Sequence, residues 1–171
     1  MNIALIGMMG SGKTTVGCLL KEKISGFSFV DTDEEIVKAE NMSINEIFAK
    51  KGENYFRKIE TEILNKYLNL DNFIISTGGG VIKSEENIKN LKEKSLVIYL
   101  KADACNIYER IKNNKERPLL NSNDMKAEIE NILSQRTSKY EQAHIVVDTC
   151  GKNFNIIIEE IIKKAGIDGK N

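Results

Sequence analysis

Histidine, proline and cysteine are scarce in this chain, and each scarcity removes a class of function. One histidine, His144, and three cysteines, Cys18, Cys105 and Cys150, stand far apart, so no CxxC pair and no Cys/His zinc spacing is present. The cysteines are expected to be reduced, mostly buried thiols. His144 has no acid or cysteine in a recognisable spacing and is assigned no chemistry. Basic and acidic residues number 25 each, which leaves no overall positive field to hold DNA or RNA. Any basic site has to be local. No apolar run approaches the roughly 20 residues that span a bilayer, and no basic region of the secretory kind precedes the short apolar run at 3–6. A cytoplasmic protein that binds neither nucleic acid nor membrane is expected, working as a monomer on a small molecule. The only proline falls in NNKERPLLNSND at 113–124, a stretch of turn formers that reads as a mobile lid.

The 171 residues suit a single domain. Short β-rich runs at 2–6, 27–31, 72–76, 96–100 and 144–148 alternate with segments of helical period at 13–23, 33–40, 43–51, 53–70, 85–92, 104–112, 125–142 and 154–165. Alternation of this kind is the mark of parallel strands joined by crossover helices, so the class is α/β. No internal repeat, linker or low-complexity tract interrupts it.

Gly7-Met8-Met9-Gly10-Ser11-Gly12-Lys13-Thr14 matches GxxxxGK[ST] and follows an apolar strand while opening a helix, the setting the motif needs. Its glycines let the backbone curl until successive N–H groups face phosphate oxygens, and the helix adds its partly positive N-terminus. The donor side of a nucleotide site is therefore expected at Gly10, Ser11, Gly12, Lys13, Thr14 and Thr15. Lys13 reaches the outer phosphates, and Thr14 offers a hydroxyl to Mg²⁺, which takes oxygen ligands. This loop alone does not separate a kinase from a GTPase, a motor or a passive binder.

Acceptor residues have to decide, and several lie where a cleft beyond the strand ends would be. Asp31 and Asp33 are two apart at the end of the second strand, so both carboxylates can face the cleft. One can serve Mg²⁺ through water and the other an acceptor hydroxyl; alternatively, Asp33 caps the next helix. Arg57 and Glu60 are three apart on a helix. They form either an oriented guanidinium that grips a carboxylate or phosphate, or a plain surface ion pair. Ser76 ends the third strand, within reach of a metal-bound water or simply bonded to backbone. Thr77-Gly78-Gly79-Gly80 follows, and three glycines in a row imply positive φ or close backbone approach, with bare N–H groups for acceptor oxygens. Arg117 in the lid is a cation that can close on a transferring phosphoryl group, and Arg136, four residues before Tyr140, is a second carboxylate clamp candidate.

Together GMMGSGKT, DTD at 31–33, FRKIE at 56–60, TGGG at 77–80, ERPLL at 116–120 and RTSKY at 136–140 resemble the shikimate kinases in order and spacing. The resemblance implies a nucleoside monophosphate kinase-like P-loop fold, a five-stranded parallel sheet of order 2-3-1-4-5, and ATP and Mg²⁺ as cofactors. It implies ATP-dependent phosphorylation of shikimate to 3-phosphoshikimate on the route to chorismate and the aromatic amino acids. By that resemblance Asp33 binds the acceptor hydroxyls and takes the proton, while Arg57, Arg136 and the glycines 78–80 hold the ring and its carboxylate, with Glu60 orienting Arg57. Lys13 and Arg117 stabilise the transferred group, Thr14 and, through water, Asp31 serve Mg²⁺, and Arg110 and the segment after Asp148 flank adenine.

Other readings make different demands. A gluconate or nucleoside monophosphate kinase shares the P-loop, but DTD, FRKIE and TGGG argue against it. A GTPase needs NKxD, whereas the nearest string, Asn65-Lys66-Tyr67-Leu68, lacks the aspartate. Asp148-Thr149-Cys150-Gly151 matches DxxG only after the last strand. An inactive scaffold does not fit the intact set Lys13, Asp33, Arg57 and Arg117.

Overall fold

The computed structural model describes residues 1–112 and 124–169. Five parallel strands, β1 (Asn2–Ile6), β2 (Ser28–Asp31), β3 (Phe73–Ser76), β4 (Ser95–Lys101) and β5 (Ile145–Asp148), form one sheet of order β2-β3-β1-β4-β5. The predicted order is the observed one. β1 is central and buried along its whole length, because a parallel strand covered on both faces has no solvated side.

Alternation along the strands sorts the core into two layers. Ile3, Leu5, Ile74, Ile98 and Leu100 pack with α1 (Lys13–Lys23) and with Ile157, Ile158 and Ile161, residues that belong to the C-terminal helix of the chain. Ala4, Ile6, Ile75, Val97 and Tyr99 pack on the opposite face, against Leu64, Leu68, Ile88, Leu91 and Tyr140. Both faces being covered, the strand ends are the open side of the sheet.

The elements at those ends set the site. α2 (Thr32–Glu40) follows β2 without a loop. α3 (Ile44–Leu68) begins at a capping box in which Ser43 and Glu46 each accept a backbone N–H of the other. It runs through Gly52, whose φ of 83° and ψ of 170° are non-helical, so the helices predicted on either side of this glycine meet at a kink. Glu40 staples the kink from outside, accepting from Lys51 at 2.6 Å and from Tyr55 at 3.0 Å. α4 (Glu85–Lys94), α5 (Ala104–Ile111), α6 (Met125–Tyr140) and α7 (Phe154–Ala165) complete the chain. A 3-10 turn, Val81–Lys83, which the sequence pattern did not indicate, follows the three glycines.

The cysteines depart from expectation: Cys18 and Cys105 are exposed, Cys150 is half-buried, and all three are free thiols. Cys18 lies off the face of α1 that buries Val16, Gly17 and Leu20, so helical geometry turns it to solvent. His144 has a structural part, accepting the Val97 backbone N–H at Nδ1 over 2.9 Å. The proton of the neutral ring therefore sits on Nε2.

Candidate active site

The loop after β1 is shaped by glycine conformation. Gly7, Gly10 and Gly12 take φ values of 145°, 77° and 95°, a region open to glycine at little cost. Gly10 has a second reason to lack a side chain, since a Cβ there would lie 2.7 Å from Ile111 Cγ2 of α5. Gly12 in turn caps α1. Lys13 arches back over the loop and donates to the carbonyls of Gly7 at 2.9 Å and Met8 at 3.0 Å. Ser11 Oγ is buried without a hydrogen-bond partner, an orphan hydroxyl inside the curl. Thr14 and Thr15 stand exposed on the first turn of α1.

Three oxygens gather beside this loop. Asp31 Oδ2 accepts from Thr14 Oγ1 at 2.7 Å and from Ser76 Oγ at 2.9 Å, and the two hydroxyls are 3.5 Å apart. No group of three or more His, Cys, Asp or Glu suited to a metal occurs among the described residues. One carboxylate with hydroxyls at its side is instead the donor set that suits Mg²⁺ bound largely through phosphates and water. Ser76 thus bonds a carboxylate and not the backbone.

Asp31, not Asp33, caps α2: its Oδ1 accepts the Asp33 N–H at 3.0 Å. The strand ends at Asp31, so Asp33 sits on the first helical turn and does not share an extended segment with it. Both carboxylates still flank the strand ends, because Asp33 Oδ1 would lie 2.7 Å from a Cβ on Gly78.

None of the three glycines after β3 has positive φ; each marks a close approach. A Cβ on Gly78 would sit 2.7 Å from Asp33 Oδ1 and 2.8 Å from Glu60 Oε1. On Gly79 it would lie 3.0 Å from the backbone N of Met9, and on Gly80 it would lie 2.6 Å from both terminal nitrogens of Arg57. The glycines make room, on one short segment, for the acidic pair, the nucleotide loop and a guanidinium.

Arg57 is more than a surface ion pair. Its Nη1 donates to Glu60 Oε2 at 2.7 Å, and Glu60 is only 1% exposed. Burial pushes the Glu60 carboxyl above its ordinary range while the Arg57 guanidinium pulls it back. Glu60 Oε1 has no hydrogen-bond partner. Glu53, which no motif singles out, takes the other edge of Arg57 at 3.3 Å and ties in Lys83 at 2.8 Å. From α6, Arg136 Nη1 donates to the Gly79 carbonyl at 3.1 Å. Arg57 and Arg136 therefore converge on adjacent glycines from two helices.

Arg110 reaches the other end of the loop and donates to the Gly10 carbonyl at 3.1 Å. The half-exposed ring of Phe154 lies 3.4 Å from where a Cβ on Gly12 would be. Phe154 is not evident from the sequence, because one aromatic at a helix start carries no signal of its own. After β5, Asp148 Oδ1 accepts the Cys150 N–H at 2.9 Å, which helps hold its carboxyl low. Buried Thr149 donates twice to the Lys101 carbonyl. Arg117 and nearly all of the 113–124 segment lie outside the described residues.

A P-loop at the mouth of a 2-3-1-4-5 parallel sheet, with carboxylates and arginines gathered opposite it, defines a phosphotransferase of the nucleoside monophosphate kinase-like class. The family profile described as "Shikimate kinase" matches residues 9–165. A curated shikimate kinase from Persephonella marina is 45% identical over 161 residues, covering 94% of this chain and 96% of the relative. Among solved structures, shikimate kinase from Acinetobacter baumannii in complex with shikimate superposes with a TM-score of 0.90 at 34% identity, over 95% of this chain and 90% of that one. The Aquifex aeolicus shikimate kinase does so with 0.84 at 40% identity, over 97% and 96%. The chain belongs to the shikimate kinase family. A gluconokinase from Sinorhizobium meliloti, at 15% identity and a TM-score of 0.60, shares the fold alone.

Proposed function

We propose that this cleft transfers the γ-phosphoryl group of ATP to a hydroxyl of shikimate, giving 3-phosphoshikimate for aromatic amino-acid biosynthesis. The observation that carries the reading is the convergence of Arg57, Arg136 and Asp33 on three glycines that touch the nucleotide loop through Gly79 and Met9. A small cyclic polyol bearing one carboxylate matches that set: two guanidiniums for the carboxylate, a carboxylate for the hydroxyls. Arginine's planar fork suits the first task.

Asp33 accepts the proton of the attacking hydroxyl, and Glu60 with Glu53 keeps the Arg57 fork aimed. Gly78, Gly79 and Gly80 admit the ring. On the donor side Gly10, Ser11, Gly12, Lys13, Thr14 and Thr15 bind the phosphates, and Arg110, with Phe154 beside it, borders the base. Thr14 and, through water, Asp31 would hold Mg²⁺, which neutralises phosphate charge when bound. Arg117 is kept from the sequence as the cation that meets the transferred group, with 113–124 as a lid and 33–60 as the acceptor region. The enzyme is read as a cytoplasmic monomer without nucleic-acid partners; no helix among the described residues is long and apolar enough to cross a membrane.

ADP release measured side by side with shikimate, gluconate, CMP and AMP tests the function. Turnover with shikimate alone is expected, and turnover only with a nucleotide acceptor would overturn it.

A further inference from the structure

We propose that Tyr140 is a positioning residue of the acceptor site, its hydroxyl retaining the Gly79 carbonyl so that Arg136 is released to the acceptor's carboxylate. This deepens the reading of the site given above and rests on it. The Gly79 carbonyl accepts two hydrogen bonds from α6, one from Arg136 Nη1 at 3.1 Å and one from the Tyr140 hydroxyl at 2.5 Å.

The two donors differ in their freedom to leave. Arg136 is half-buried and ends in a flexible chain. Tyr140 is fully buried, and its ring stacks on Tyr99 with centroids 5.0 Å apart and planes 17° from parallel. When the guanidinium turns to a carboxylate, the ring stays. Without the phenol, that turn would strip a carbonyl in a crowded segment of its donors. Gly79 also lies close against the nucleotide loop, where a methyl group would press on Met9 N at 3.0 Å.

The same hydrogen bond orients the adjoining peptide. No peptide bond among the described residues is cis, and in a trans peptide the Gly80 N–H points opposite to the Gly79 carbonyl. Tyr140 therefore sets the direction of the Gly80 N–H at the residue against which the Arg57 guanidinium lies. One buried hydroxyl thus acts on both arginine clamps and on a backbone donor between them, while touching no reacting atom.

The test is steady-state kinetics on wild type, Tyr140→Phe and Tyr99→Phe, with shikimate and ATP varied in turn in the presence of Mg²⁺, and thermal melts alongside. Tyr140→Phe keeps the stacked ring and removes only the hydroxyl. It should raise KM for shikimate about five- to tenfold, the effect of losing one hydrogen bond. The turnover number and KM for ATP should hold within about twofold, because binding away from the reacting bond acts on KM. Tyr99→Phe removes a hydroxyl from the same stack but not from Gly79, and should leave KM for shikimate unchanged. An unaltered shikimate KM in Tyr140→Phe, whether or not it melts lower, overturns the proposal. So do equal rises in both KM values, or a variant that fails to fold. Wild type inactive with shikimate would bring down the reading of the site as well; wild type active and Tyr140→Phe unaltered brings down this inference alone.

Discussion

The two walls of the cleft use glycine for opposite purposes. On the donor wall, Gly7, Gly10 and Gly12 adopt positive φ and shape one continuous loop. On the acceptor wall, Gly78, Gly79 and Gly80 have no positive φ and serve by lacking volume, so that side chains from α2, α3 and α6 can crowd one short segment. The first wall is a local product of chain conformation. The second exists only after distant elements have packed, and substitutions should therefore separate the two kinetically.

The largest separation is expected from Asp33→Asn. A positioned base contributes about 10²- to 10⁴-fold, so turnover should fall by that factor while calorimetry shows ATP affinity nearly intact. Strong loss of ATP affinity would move Asp33 to the donor wall. Next come paired glycine substitutions. Gly80→Ala drives a methyl into the Arg57 fork and should raise KM for shikimate by up to about 10²-fold, the cost of a misplacement near 1 Å, with KM for ATP unmoved. Gly10→Ala meets both a φ of 77° and Ile111, and should weaken ATP instead. Equal effects from both substitutions on both substrates would erase the distinction between the walls.

A smaller effect is expected from Arg57→Lys, which keeps the charge but loses the fork that spans Glu53 and Glu60. About a tenfold rise in shikimate KM should result, the scale of one charge-assisted hydrogen bond. No rise would mean that charge alone suffices there.

The smallest concerns the cap of the helix that carries Arg57 and Glu60. Donation from Ser43 holds the Glu46 carboxyl at about 2, below its ordinary value. Its contribution to stability is complete above the unfolded-state range and is lost as pH falls through about 2. The difference in melting temperature between wild type and Glu46→Gln should therefore shrink steadily from pH 5 towards pH 2. A constant difference would show that the capping carboxylate is not the source.

Legibility in the sequence obeys the same division. The P-loop is contiguous and framed by a strand and a helix, so its residues were readable as a unit, as were the strands whose apolar runs mark burial on both faces. The kink at Gly52 was readable too, because glycine breaks the helical period. The exposed cysteines were not, since their fate depends on which face of a helix turns inward. The place of Asp33 beside the acceptor is legible, but its local setting is not: Asp31 takes the capping role and the helix starts at Thr32, one residue before the predicted 33–40. The hidden part consists of long-range pairings such as Glu53 with Lys83, Tyr140 with Gly79, and Phe154 beside Gly12. No spacing rule encodes them, because each joins residues that only the folded sheet brings together.

Lys13 lays two of its three ammonium donors on the carbonyls of Gly7 and Met8, which pins the head of a long, flexible chain over the loop before any nucleotide arrives. The rotamer freedom of that chain is thus given up on folding and not on binding, so a triphosphate meets a charge already held in place.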